Sequence, residues 1–158
     1  MEIPGAHPVV ADHVEVELTA TLLDERVVAT EMVRVGNFVP FVVLKALAHE
    51  DRFEEKDAYD LIDCLMPYGR GPEDVAAQFA EYLARWPKEP LLPRALEVLR
   101  TCFASDERTP GARKDGPISY ALFLADPGRR DLDARHRQDA AVVVELFLRA
   151  LDGAGDQT

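Results

Sequence analysis

The sequence is poor in cysteine, with only Cys64 and Cys102 among 158 residues. Neither cysteine has neighbours at the spacing that zinc sites use, so a structural zinc site is not indicated. Both lie within apolar helical patterns, and we expect two free, buried thiols. The chain is about the size of one domain and is long enough to fold on a hydrophobic core without disulfide bonds or a structural metal.

Long hydrophobic runs are also missing. No apolar segment approaches the roughly 20 residues that cross a bilayer. The opening segment "MEIPGAHPVV" has neither a basic stretch nor the apolar core of a signal peptide. With 47% hydrophobic and 30% charged residues, the composition is typical of a globular protein. The sequence therefore favours a cytoplasmic protein with no membrane partner.

Positive charge is in deficit as well. Lysine and arginine total 18 against 29 aspartate and glutamate residues, which gives a formal net charge of −11. This excess repels nucleic-acid phosphates over most of the surface, so we expect no nucleic-acid partner. The sequence has no Walker loop and no GxGxxG, GxSxG or HExxH motif. The common nucleotide, hydrolase and metalloprotease motifs are thus excluded.

The first pattern in the sequence is an alternation of apolar and polar residues over 13–35, interrupted by the polar turn "LDER". This pattern predicts a β-hairpin. Glu15 and Glu17 share its polar face, and paired carboxylates can hold Mg²⁺, although an acidic solvent face is the stronger interpretation. A single hairpin is not a stable sheet, so we expect it to pack on helices or to pair with strands from elsewhere.

A helical period replaces the alternation after residue 40, with helices predicted over 41–103 and 117–151. The polar segment 104–116 is predicted to be a mobile loop, and 152–158 a disordered tail. The fold class is therefore α+β and mostly helical, a single domain 1–151 with an N-terminal β-hairpin followed by a bundle of five or six helices. The inward faces are predicted in the first helix at Phe41, Leu44, Leu47 and Ala48, and in the last at Val143, Leu146, Phe147 and Leu151.

The stretch "KALAHEDRFEEKDAYDLIDCL" carries the strongest concentration of charge chemistry. Asp57 and Asp60 are spaced to share one face of a helix, and Lys45, His49 and Arg52 share one face of the helix before it. If these helices are antiparallel, the basic and acidic faces meet. The residue types alone favour an ion-paired seam over a catalytic cluster.

The order of two motifs in this stretch adds a resemblance. "KALAHEDR" resembles the K-x-x-A-x-x-x-R motif and "KDAYDL" the R/K-D-x-x-D-L motif that follow one another in AbiEii-type nucleotidyltransferase toxins. The similarity is best over residues 27–65. It implies that Asp57 and Asp60 are catalytic and that Lys45, Arg52 and Lys56 bind substrate. The family's cofactors would be Mg²⁺ and a nucleoside triphosphate.

The resemblance covers only part of that family's pattern. Its members carry an N-terminal half with a Gly-Gly or Gly-Ser turn and a D-x-D strand that holds Mg²⁺, and this sequence contains neither dipeptide. We therefore expect the C-terminal half of a nucleotidyltransferase-like protein, inactive alone and with no metal or cofactor of its own. Its expected partner is a polypeptide carrying the N-terminal half, or a second copy bound through the hairpin. The alternative is a non-enzymatic, acidic helical interaction module.

Overall fold

The computed structural model describes residues 11–23, 27–66, 71–125 and 131–155. The described part consists of a β-hairpin and six α-helices, and it confirms the predicted α+β, mostly helical class. None of these helices is both long and apolar enough to span a membrane. The elements are β1 (His13–Thr21), β2 (Val28–Gly36), α1 (Phe38–Arg52), α2 (Glu55–Leu65), α3 (Pro72–Arg85), α4 (Leu91–Cys102), a 3₁₀ turn (Gly111–Arg113), α5 (Asp115–Phe123) and α6 (Asp131–Gly155).

The two strands of the hairpin pair antiparallel without a bulge, from His13 opposite Gly36 to Thr21 opposite Val28. Side chains alternate between an apolar and a polar face, as the sequence pattern predicts. The apolar face is nevertheless open: Val16 is 37% exposed and Leu18 49% exposed. Across the described ranges, the sheet has no third strand.

The hydrophobic core lies among the helices. Phe79 of α3 packs edge-on against Phe147 of α6, with ring centroids 4.9 Å apart. Phe103, just after α4, is also fully buried. The α3 and α6 pair makes the most extensive helix–helix contact. The helices therefore enclose the core among themselves, and the hairpin adds none of the buried hydrophobic side chains.

The helix boundaries follow local chemistry. Gly71 precedes α3 with φ of 124°, a conformation that glycine alone adopts easily, and Pro72 occupies the first turn with Glu73 and Asp74. The two acids stabilise the positive end of the helix dipole. At the end of α1, Phe53 adopts a left-handed conformation with φ of 53°, and its N–H donates to the His49 carbonyl. This turn folds α2 back against α1.

The predicted inward face of α1 is wrong. Phe41 is 37% exposed, and Leu44, Leu47 and Ala48 are only partly buried. The reason is that α1 is apolar around most of its circumference, so two stripes compete for the core. The stripe that is buried consists of Val39, Val42, Val43 and Ala46.

In α6 the predicted face is partly right. Phe147 and Leu151 are buried, whereas Leu146 is 36% exposed and Val143 is partly buried. Val144 and Leu148 take the inward positions instead. The helix also continues to Gly155, four residues beyond the predicted end, and 156–158 lie outside the described residues.

The predicted loop 104–116 contains the 3₁₀ turn and gives way to α5 at Asp115. Its hydrogen bonds are extensive: Ser105 Oγ donates to Glu145 of α6 at 2.6 Å, and the Asp106 carboxylate accepts the Arg108 and Thr109 N–H groups at 2.8 Å each. Lys114 Nζ lies 2.8 Å from the same carboxylate. The mobility of this segment stays a prediction.

Candidate functional site

The antiparallel α1–α2 pair assembles the candidate site. Lys45 and Arg52 project from α1, and Lys56, Asp57 and Asp60 project from α2. Lys45 Nζ lies 3.0 Å from Asp57 Oδ1 and 2.6 Å from Asp60 Oδ2. These five side chains, called the ion-pair cluster below, include every residue that the sequence proposes as catalytic or substrate-binding.

Asp57 is the anchor of the cluster, with a residue exposure of only 1%. Arg52 donates to both of its oxygens, from Nε at 2.7 Å and from Nη2 at 2.9 Å, in the bidentate geometry that gives strong charge-assisted bonds. Burial by itself raises the pKa of Asp57, but the hydrogen bonds from Arg52 and Lys45 outweigh burial and lower it. Asp57 is therefore ionised at neutral pH.

Asp60 lies nearer the surface, with 15% of its side chain exposed. Lys56 Nζ donates to both of its oxygens at 2.8 Å. Burial raises the pKa of Asp60, and the bonds from Lys45 and Lys56 more than reverse that effect. The pKa of Lys45 is likewise lowered by burial but raised overall by Asp60 and Asp57. Both carboxylates are ionised and the Lys45 ammonium keeps its proton at neutral pH.

Two grooves border the cluster. One, of about 470 Å³, lies at the root of the hairpin and is lined by Val35, Gly36, Asn37, Phe38, Phe41, Asp63 and Cys64. The other, of about 540 Å³, is lined by Leu44, Lys45, Leu47, Ala48, Asp51, Arg52, Leu91 and Arg94. Lys45 Nζ is 5.6 Å from the centroid of the Phe41 ring, which borders the first groove. Lys45 therefore lies between the two grooves.

The grooves were not foreseen from the sequence. They use the outer apolar stripe of α1 that periodicity assigned to the core. The sequence does show that α1 has two apolar stripes. Because the core covers only one of them, the other is left to line a groove.

No known protein-family model, curated protein or solved structure matches this chain.

His49 does not join the cluster, although it shares the α1 face with Lys45 and Arg52. Its residue exposure is 0%, and its ring centroid lies 5.2 Å from that of Phe103 and 5.7 Å from that of Phe53. Both ring nitrogens are buried, near the Glu54 backbone but without a well-formed hydrogen bond among the described residues. Burial lowers the pKa of His49, so the imidazole is neutral at pH 7.

The cysteines are free, as expected, but partly rather than fully buried. Burial first, and then the nearby carboxylates of Asp63 and Asp60, raise the pKa of Cys64 to about 11. The Cys64 thiol at the hairpin-root groove is therefore protonated and unreactive at neutral pH.

The residues of the cluster do not fit Mg²⁺. Both carboxylates already accept hydrogen bonds from cationic side chains, whose charge would repel a divalent ion. On the hairpin, Glu15 pairs with Arg34 at 3.3 Å. Over the described ranges, no group of three or more histidine, cysteine, aspartate or glutamate side chains is arranged to hold a metal ion.

The cluster therefore has a limited chemical repertoire. Its carboxylates are ionised and accept hydrogen bonds, so neither is a proton donor at neutral pH. Its three cations exceed its two carboxylates by one positive charge. Lys56 and Arg52, with 65% and 57% of their side chains exposed, are the cations most able to meet a ligand. The same contacts are those of an ion-paired seam, so geometry alone does not assign a catalytic role.

Proposed function

We propose that this chain is the helical half of a nucleotidyltransferase-like site, inactive alone and completed by a second polypeptide that carries the metal-binding strands. The observation that carries the proposal is the convergence of the two motifs: Lys45 and Arg52 from the first meet Asp57 and Asp60 from the second in one cluster. An ion-paired seam needs opposite charges, but it does not need this motif order or a groove on either side.

The 540 Å³ groove is lined by three cationic side chains, Lys45, Arg52 and Arg94, and one carboxylate, Asp51, which favours the negative charge of a nucleoside triphosphate. Arg52 would turn from Asp57 to a phosphate and so exchange one charge-assisted partner for another, while Lys45 keeps its bond to the Asp57 carboxylate. Lys45 would stay between the two carboxylates and hold them in place. The apolar wall formed by Leu44, Leu47 and Leu91 would accept the flat face of a base.

Inactivity of the isolated chain follows from the same geometry. Phosphoryl transfer relies on metal ions to neutralise the charge that develops on the triphosphate. The carboxylates of the cluster are occupied by cations, so Mg²⁺ would have to be held by the partner polypeptide. Asp57 and Asp60 would then hold Lys45 in place, while Arg52 and Lys56 contact the phosphates.

The proposal is tested by a transfer assay with labelled nucleoside triphosphates and Mg²⁺. The purified chain is assayed alone and mixed with a polypeptide, encoded beside it, that bears a Gly-Ser turn and a D-x-D strand. We expect labelled product only in the mixture. Transfer by the pure chain would overturn the proposal, as would an inactive mixture whose two components bind each other.

Arginine variants test, in the same transfer assay, whether the ion-pair cluster is the site of transfer. Arg52→Ala is compared with Arg100→Ala, whose side chain is also exposed and pairs with a carboxylate, that of Asp152, at 2.8 Å. We expect Arg52→Ala to lower transfer by at least about tenfold, the equivalent of one charge-assisted hydrogen bond, and Arg100→Ala to leave it unchanged. Equal losses in the two variants would mean that Arg52 serves stability only.

A non-enzymatic interaction module is the second candidate. It is favoured by the hairpin, whose valine and leucine side chains stay between 37% and 49% exposed on the apolar face of β1. This candidate predicts a stable complex with a partner and no transfer in any mixture. A chain that stays monomeric at high concentration and captures no partner would count against it.

A further inference from the structure

The register of the hairpin decides which backbone groups point outward along its two edges. The Leu22 N–H donates to the Val27 carbonyl at 2.9 Å, and the Asn37 N–H donates to the Asp12 carbonyl at 3.0 Å. Hydrogen-bonded and non-bonded pairs alternate along an antiparallel ladder. The residues that turn their backbone N–H and C=O groups outward are therefore His13, Glu15, Glu17, Thr19 and Thr21 on β1, and Val28, Thr30, Met32, Arg34 and Gly36 on β2.

The two edges differ in charge. The β1 edge carries the carboxylates of Glu15 and Glu17, and charged side chains on an edge strand are a common barrier to pairing with another strand. β2 carries one acidic and one basic side chain, Glu31 and Arg34, so its charges cancel. Along both edges, the sheet ends at these strands within the described part of the chain. The β2 edge is therefore the one that remains competent to pair.

We infer that the β2 edge pairs with β2 of a second copy of this chain, antiparallel about a two-fold axis at Met32. In this register Met32 faces Met32, Thr30 faces Arg34, and Val28 faces Gly36. Every outward backbone group of one strand then meets an outward group of the other, and no two like charges are opposed. The result is a four-stranded antiparallel sheet, β1-β2-β2-β1.

The alternative pairings are less favourable. A β1–β1 dimer with full overlap places Glu17 directly opposite Glu17, and like charges opposed across strands are destabilising. Pairing of β1 with the β2 of another copy leaves two open edges and leads to filaments rather than a closed dimer. The β2–β2 dimer is closed, and it supplies the additional strands that a lone hairpin lacks.

The apolar face also supports this arrangement. In the inferred register, Ala29 of one copy faces Val35 of the other, and Glu31 faces Val33. The apolar faces of the two hairpins thus join on the same side of the sheet. The inference is independent of the nucleotidyltransferase-like proposal, because it uses the β2 edge and no residue of the ion-pair cluster on α1 and α2.

The test measures the mass of the full chain by sedimentation equilibrium from micromolar to submillimolar concentration. We expect a monomer–dimer equilibrium with the mass approaching twice that of the monomer. A monomeric mass at every concentration would overturn the inference and would favour a different polypeptide as the strand's partner.

Thr30→Pro and Thr19→Pro form a matched pair for the same experiment. The two threonines are directly opposite each other, their hydroxyl oxygens are 2.9 Å apart, and both turn their N–H groups outward. Proline at either position therefore removes the same side-chain hydrogen bond and no hydrogen bond of the hairpin ladder. Only Thr30→Pro removes a donor from the β2 edge, twice in each dimer.

We expect Thr30→Pro to weaken dimerisation by at least about tenfold, since two backbone hydrogen bonds are lost, and Thr19→Pro to dimerise like the wild type. Equal weakening by both prolines would show that dimerisation depends on hairpin integrity rather than on the β2 edge, and would overturn the inference.

Met32→Lys provides a variant that keeps the hairpin intact. Within the hairpin, residue 32 lies opposite Glu17, so a lysine there gains an opposite charge. Across the two-fold axis the same lysine faces its own copy. We expect a folded monomer, checked by circular dichroism. A Met32→Lys protein that dimerises as well as the wild type would contradict the inferred axis.

Discussion

At the scale of single residues, the buried Asp57 carboxylate organises the α1–α2 pair. Its position in the first turn of α2 places it near the positive end of the helix dipole. Lys45 and Arg52 reach it from the neighbouring helix, so each of its oxygens has a cationic donor. Removing one partner of such a buried pair leaves the others uncompensated, which costs more than the intact pair contributes.

Asp57→Ala is therefore expected to lower the free energy of unfolding by about 3 kcal/mol. Asp60→Ala is expected to cost about 1 kcal/mol, because Lys45 keeps its bond to Asp57 and Lys56 is exposed. Urea denaturation at pH 7 measures both. A loss for Asp60→Ala of about 2–5 kcal/mol, as for a core leucine truncation, would make Asp60 a structural residue.

The effect of Asp57 on stability depends on pH with a defined sign. Because its folded pKa lies below the ordinary value, the stabilisation is complete above about pH 4 and is lost as the pH falls through the folded pKa. The difference in unfolding free energy between wild type and Asp57→Asn should therefore shrink on acidification. A difference that stays constant down to pH 2 would contradict the lowered pKa.

His49 predicts pH dependence in another range. Its folded pKa is lowered by burial, so below about pH 6.5 the unfolded chain binds a proton that the folded protein does not. Stability should therefore fall as the pH drops below that value. His49→Leu should remove this decline between pH 7.5 and pH 5.5, as measured by urea denaturation at several pH values. An unchanged decline in the variant would exclude His49 as its source.

At the scale of elements, the hairpin and the existence of most helices were predictable because each depends on local periodicity and on turn chemistry. The orientation of α1 was not, because its two apolar stripes are equivalent until α4 and α2 pack against one of them. The segment 104–116 was recognised as a loop from its polar composition. Its hydrogen bonds to α6 depend on Glu145, which is 40 residues from Ser105 in sequence.

Close packing at the start of α5 gives a prediction for this element. A Cβ atom on Gly116 would lie 2.4 Å from the nearest atom of the buried Phe103 ring, too close for two carbon atoms. We expect Gly116→Ala to lower the free energy of unfolding by about 1–3 kcal/mol.

Gly153→Ala in α6 is the matched control, since a Cβ there meets nothing within 4 Å. Alanine should stabilise that helix by up to about 1 kcal/mol. Thermal unfolding of both variants tests the pair, and a stable Gly116→Ala protein would mean that Phe103 moves readily aside.

At the scale of the whole molecule, the hairpin and the helices are held together differently. The helices share one core, whereas the hydrogen bonds of the hairpin run chiefly between its own strands. The apolar face of the hairpin stays open, with Val16 37% and Leu18 49% exposed. The net charge of −11 makes copies of the chain repel one another, so any association has to offset that repulsion.

A chain lacking residues 1–36 should therefore fold. We expect the midpoint of thermal unfolding to change by less than about 5 °C, which corresponds to roughly 1 kcal/mol for a domain of this size. Circular dichroism followed against temperature measures this, with the full chain as reference. Loss of the helical signal would show that the hairpin is required for the core.

The sequence by itself determined the fold class, the presence of the hairpin and the presence of opposite charges on α1 and α2, because these follow from local periodicity and residue type. Only the tertiary structure decided which stripe of α1 is buried, that His49 lies among aromatic rings instead of with Lys45 and Arg52, and that the apolar face of the hairpin stays open. These features depend on contacts between segments distant in the chain, and periodicity within one segment does not identify the surface that will cover it.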